Sequence, residues 1–127
     1  MIFVTADSCR TQLQKLTQLL VSAFPGSTIY QHTDLFRVPH EVLNTKVDAV
    51  FLGADIDKRN CRDFIKMLHR QKPNIPVFLI LKTDEFREEI EKAGATGYFV
   101  LPNSEQQLLE AIRLIKTSKS DLDDKQI

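Results

Sequence analysis

Cysteine is scarce in this sequence. Cys9 and Cys61 stand far apart and lack the Cys-x-x-Cys spacing, so neither a disulfide framework nor a redox motif is encoded, and a reduced thiol pair in a cytoplasmic protein is the simplest reading. An excess of one charge is also missing. Lys+Arg and Asp+Glu both number 17, which leaves no electrostatic footprint for nucleic acid or an anionic membrane. No apolar run approaches the ~20 residues of a membrane span, and the opening "MIFVTADS" has no basic region followed by an apolar one, so it does not read as a signal peptide. The three histidines, His32, His40 and His69, have no metal-ligand spacing and read as surface residues. Glycine is absent from "TADSCR", Thr5 to Arg10. A loop that cradles phosphate through backbone N–H groups needs glycine there. Its absence argues against a flavin or nucleotide binder despite the hydroxyls of Thr5 and Ser8, and against Cys9 as a phosphatase nucleophile.

What is present fits one soluble domain. The 127 residues are 43% apolar and 27% charged, enough to bury roughly two-thirds of the unfolded surface. Short β-rich runs alternate with helical patterns. Met1 to Thr5 reads as a buried strand. A helix follows, capped by Ser8 or Asp7, with Leu13, Leu16, Leu19 and Leu20 as its stripe, and Pro25-Gly26 ends it. Ser27 to Gln31 is a weaker strand. Asp34 to Asn44 reads as a poor helix with Pro39 in its middle. Val47 to Leu52 is a strand with almost no polar alternation, as expected where both sheet faces are covered. Phe64, Ile65, Met67 and Leu68 mark a helix from about Lys58 to Gln71. Ile75 to Leu81 is a fourth strand. A helix from Thr83 or Asp84 closes at Gly94. Tyr98 to Leu101 is a fifth strand stopped by Pro102, and a last helix, with Ser104 as N-cap, buries Leu108, Leu109, Ile112 and Ile115. Lys119 to Ile127 is a polar tail. The order is (βα)5, which predicts an α/β fold: a doubly wound five-stranded parallel sheet with helices on both faces. Ligands of such sheets sit beyond the C-terminal strand ends.

Three segments carry a resemblance to a known family: "VDAVFL" (47–52), "NIPVFLIL" (74–81) and "AGATGYFVLP" (93–102). Over Met1 to Lys116 the chain resembles the flavodoxin-like receiver domain of two-component response regulators. That resemblance implies a domain over 1–118 and a tail or linker over 119–127. It also implies phosphoryl transfer to an aspartate, which needs an acidic pair for Mg²⁺ after the first strand, an acceptor after the third, a hydroxyl after the fourth and a lysine after the fifth.

At those places the sequence has Thr5 and Ala6, or Ala6 and Asp7 if the alignment slips by one; then Gly53; then Leu81, with Thr83 two residues on; then Leu101. These substitutions imply a degenerate receiver with its pocket filled by apolar residues, needing no metal and no cofactor. It would be a non-enzymatic cytoplasmic module, the N-terminal piece of a bacterial transcription regulator acting by protein contact. The resemblance puts the contact face on the fourth helix, fifth strand and fifth helix, with Lys82, Glu85, Glu89, Lys92, Tyr98 and Arg113 as candidates for a homodimer or an output domain. Direct nucleic-acid binding by this segment is not expected. The alternative is a working receiver with Asp55 as a shifted acceptor and Asp7 helping to hold Mg²⁺. The plainer reading of Asp55 and Asp57 is a pair of loop or helix-capping carboxylates.

Overall fold

The computed structural model describes residues 1–34, 38–53, 60–81, 96–100 and 105–125. Five strands form one parallel sheet: β1 (Ile2–Ala6), β2 (Thr28–His32), β3 (Ala49–Gly53), β4 (Val77–Leu81) and β5 (Gly97–Val100), in the spatial order β2-β1-β3-β4-β5. The described helices are α1 (Arg10–Ala23), α2 (Val38–Asn44), α3 (Asn60–Gln71) and a C-terminal helix (Glu105–Lys125).

Every residue of β3 and β4 is buried, because successive side chains point to opposite faces and both faces are covered. On one face, Val4, Val50, Leu52 and Leu79 meet Val42 of α2 and Ile65 and Leu68 of α3. On the other, Phe3, Phe51 and Phe78 meet Leu16 and Leu20 of α1 and Leu108 and Ile112 of the C-terminal helix. This second face is aromatic. Phe24, Phe3, Phe51, Phe78 and Phe99 form a continuous row with ring centroids 6.0, 5.7, 5.5 and 5.7 Å apart, within the range where aromatic pairs add to simple burial.

Several boundaries differ from the sequence reading. The first four strands start one or two residues later, and β1 runs through Ala6. The α1 N-cap is Cys9, with no side-chain capping bond; Asp7 Oδ1 instead accepts the Cys9 N–H at 2.9 Å. Helix α2 is described from Val38, residues 35–37 of the sequence reading lying outside the described residues, and Pro39 stands in the first turn of the described helix, where a missing N–H has no intrahelical partner to lose. The chain leaves α1 through Gly26 at φ 84°, a left-handed conformation that glycine adopts without steric cost. The last helix continues to Lys125 through the segment read as a polar tail; no Gly or Pro interrupts it before then.

Candidate functional site

Strands β1 and β3 are neighbours, with Ala6 paired to Leu52. The next residue on each is Asp7 and Gly53, so both stand at the C-terminal edge of the sheet. The Asp7 N–H donates to the His32 carbonyl at 3.1 Å, prolonging the ladder toward β2. Its side chain goes the other way, toward β3. Asp7 is 5% exposed. A Cβ built on Gly53 would collide with Asp7 Oδ2 and Cγ and lie 2.9 Å from Oδ1. The carboxylate of residue 7 thus covers the space a side chain at 53 would enter.

The other positions implicated by the sequence fall as follows. Thr5 is buried inside β1, its hydroxyl 3.5 Å from the Tyr30 carbonyl, and Ala6 is 1% exposed in the aliphatic cluster. Neither offers a ligand at the edge. Leu81 is 3% exposed and also belongs to the aliphatic cluster. Tyr98, on the edge strand β5, is half-buried against that same cluster, while Arg113 is exposed on the C-terminal helix. Asp55, Asp57, Lys82, Thr83, Glu85, Glu89, Lys92 and Leu101 lie outside the described residues.

The sequence reading of a pocket filled by apolar residues rests in part on Leu101, which lies outside the described residues. A cavity of about 180 Å³ remains beside Asp7 and Gly53, with Leu16, Leu19 and Ile80 among its apolar walls and Gln12, Lys15 and Glu105 as further polar lining. Leu81 lines this cavity as well, while also packing in the aliphatic cluster on the α3 side of the sheet. Nothing in the sequence pattern singles out Gln12, Lys15 or Glu105. They come from two helices far apart in the chain and carry no motif.

A receiver site would hold Mg²⁺ with several hard oxygen ligands. Here the described edge offers the Asp7 carboxylate, with one oxygen already bonded to a backbone N–H, beside an apolar Ala6 and a bare Gly53, and a second carboxylate, Glu105, lines the cavity from the C-terminal helix. Among the described residues no three His, Cys, Asp or Glu side chains group to hold a metal. The described donor set does not fit Mg²⁺.

No protein-family model matches the sequence, and no curated protein sequence matches it significantly. Solved structures do match. The signal receiver domain of an HD domain-containing protein from Pseudomonas fluorescens superposes with a TM-score of 0.77 at 23% identity, covering 94% of this chain and 97% of the other. The chain has the fold of response-regulator receiver domains. A receiver domain protein from Clostridium thermocellum gives 0.78 at 21% identity, over 95% of this chain and 98% of its own. A LuxR family DNA-binding response regulator from Silicibacter pomeroyi gives 0.73 at 22% identity, over 91% and 90%. The receiver fold therefore spans nearly the whole chain. Among the described residues no helix is long and apolar enough to cross a membrane.

Proposed function

We propose that this chain is a non-enzymatic signalling module, a receiver fold without aspartyl-phosphate chemistry that acts by protein contact. The observation that carries this reading is the Asp7 carboxylate lying over Gly53: the place of the acceptor side chain is occupied by a neighbouring acid whose own neighbour in β1 is the apolar Ala6. Phosphoryl transfer depends on positioned charge around the transferring group, and the described edge retains one acid of that set. In this reading the module is cytoplasmic and serves a bacterial transcription regulator, as the likeness to a DNA-binding response regulator suggests. Its partner is a second copy or an output domain, docked at the β5 edge near Tyr98 and Arg113. The 119–127 segment leads to the output domain, and helical backbone as far as Lys125 suits such a connection. Regulation would then bias two packings by contact alone.

The test is incubation with a small phosphodonor and Mg²⁺ followed by intact mass. The expected mass is unchanged. A gain of one phosphoryl group that disappears in an Asp55→Asn variant overturns the proposal in favour of the shifted acceptor.

A further inference from the structure

In the strand order β2-β1-β3-β4-β5 the chain steps from β1 outward to β2 and then back across β1 to β3, so the winding reverses between β1 and β3. Ligands of open parallel sheets sit beyond the strand ends at such a point. The cavity of about 180 Å³ is there, with Asp7 and Gly53 in its lining. A cavity of about 150 Å³ admits benzene, so this one takes a molecule of about six to eight non-hydrogen atoms. Leu16, Leu19, Ile80 and Leu81 give it apolar walls. Water against such walls finds few partners, and an apolar group that displaces poorly held water gains affinity. The polar lining differs in depth. Asp7 is 5% exposed and Gln12 is half-buried, while Lys15 and Glu105 are exposed. Among the described lining residues two acids thus stand against one base, and the buried charge is an acid. Asp7 Oδ1 accepts the Cys9 N–H, but a carboxylate accepts several hydrogen bonds at once, and those from a cationic donor are the strongest.

We propose that this cavity binds a small organic ammonium ion with a compact apolar body, the ammonium on Asp7 and the body against Leu16, Leu19 and Ile80. Leu16 and Leu19 come from α1 and Glu105 from the C-terminal helix, so the bound molecule touches both helices of that face. Its regulatory consequence rests on the functional reading above: the molecule serves as the input in place of a phosphoryl group, and by filling the space between α1 and the C-terminal helix it biases the packing that a partner meets.

Isopentylamine, isopentanol and isovalerate share a branched body and differ in charge. Each is titrated into the unaltered full chain at neutral pH while the backbone amide shifts are followed by NMR. The amine is expected to shift the amides of Asp7, Leu19 and Ile80 saturably, to leave those of Ile2 and Val77 at the opposite end of the sheet in place, and to bind at least roughly tenfold more tightly than the alcohol or the acid. Asp7→Asn keeps an oxygen for the Cys9 N–H; it should weaken the amine at least roughly tenfold and leave the alcohol unchanged. Leu19→Phe puts a larger side chain into the cavity and should abolish binding of the amine. Should either variant fail to fold, the comparison of the three probes on the unaltered chain decides. Absence of a saturable shift with the amine, equal affinity for all three probes, tighter binding of the acid, or shifts centred away from the β1 and β3 ends each overturn the site. Phosphoryl uptake by the unaltered chain would refute the proposed function and leave a positive titration standing, whereas a chain that takes up neither phosphoryl nor amine removes the site alone.

Discussion

The two ends of the sheet are built differently, although each has an aspartate beside β3. At the N-terminal end Asp48 Oδ2 accepts the Ile2 N–H at 2.7 Å, and the Asp48 N–H donates to the Ile2 carbonyl at 2.8 Å. There too the Val77 N–H donates to Thr96 Oγ1 at 3.0 Å, while the Thr96 N–H donates to the Val77 carbonyl at 2.8 Å. At the C-terminal end Asp7 accepts a bond from its own loop and lies across Gly53, with a cavity beside it. Parallel strands begin with N–H groups that need acceptors, so side-chain oxygens at that end complete the ladder. At the other end a carboxylate satisfies no strand carbonyl, because both are acceptors. The contrast teaches that the acid at the start of this sheet completes the strand ladder, whereas the one at its finish meets the Cys9 N–H of its own loop and covers Gly53.

The largest effect should come from between the ends. Phe51 is fully buried and touches Phe3 and Phe78 in the aromatic row, at centroid distances of 5.7 and 5.5 Å. Phe51→Ala is expected to cost about 3–5 kcal/mol, by lost burial and an uncollapsed cavity. The measurement is the urea midpoint at unchanged slope. A loss below about 1 kcal/mol would mean that the row is not what joins the two ends.

How far the sequence discloses these regions follows from the range of the interactions involved. The middle of the sheet is legible because it is encoded locally: "VDAVFL" and "IPVFLIL" announce strands buried on both faces, and the leucine spacing of 13, 16 and 20 announces the α1 stripe. The Pro39 helix is harder to place, since proline is compatible with a first turn as well as with a broken middle, and only packing of Val38 and Val42 decides. The edge is least legible. Gly53 reads from sequence as an absence, and its partner Asp7 lies far away along the chain. Their contact depends on the β1–β3 register, which no local pattern specifies. Leu81, which the sequence places at this edge, does line the cavity, and it packs in the aliphatic cluster too.

The second effect sharpens the comparison of the two aspartates. Asp48→Ala removes a charge-assisted acceptor and leaves the Ile2 N–H at a half-buried strand start. The expected cost is about 1.5–3 kcal/mol, and Asp48→Asn, which keeps an acceptor oxygen, should recover most of it. If Asp48→Asn is as damaging as alanine, the charge matters beyond this bond and the N-terminal end is not explained by ladder completion. Neither variant should alter the binding of isopentylamine, since the sites lie at opposite ends of β3 and distant effects add.

The smallest effect concerns Thr96, where the same completion is made by an exposed residue. Its hydroxyl accepts the Val77 N–H at the start of β4, but Thr96 itself faces solvent. In Thr96→Val the β-branched shape is kept and the acceptor is lost. Val77 is fully buried but Thr96 lies at the surface, so the released N–H stands at the rim of the sheet and the cost should be about 1 kcal/mol. The Val77 amide should exchange its hydrogen faster, while the amides of Leu79 and Phe51 keep their protection, because only the first rung of β4 is released. A loss above about 2 kcal/mol, or faster exchange spreading to Leu79, would show that β4 depends on this rung for its register. The N-terminal end would then be the more tightly specified of the two, and the vulnerability of the sheet would lie there and not at the seat of Asp7.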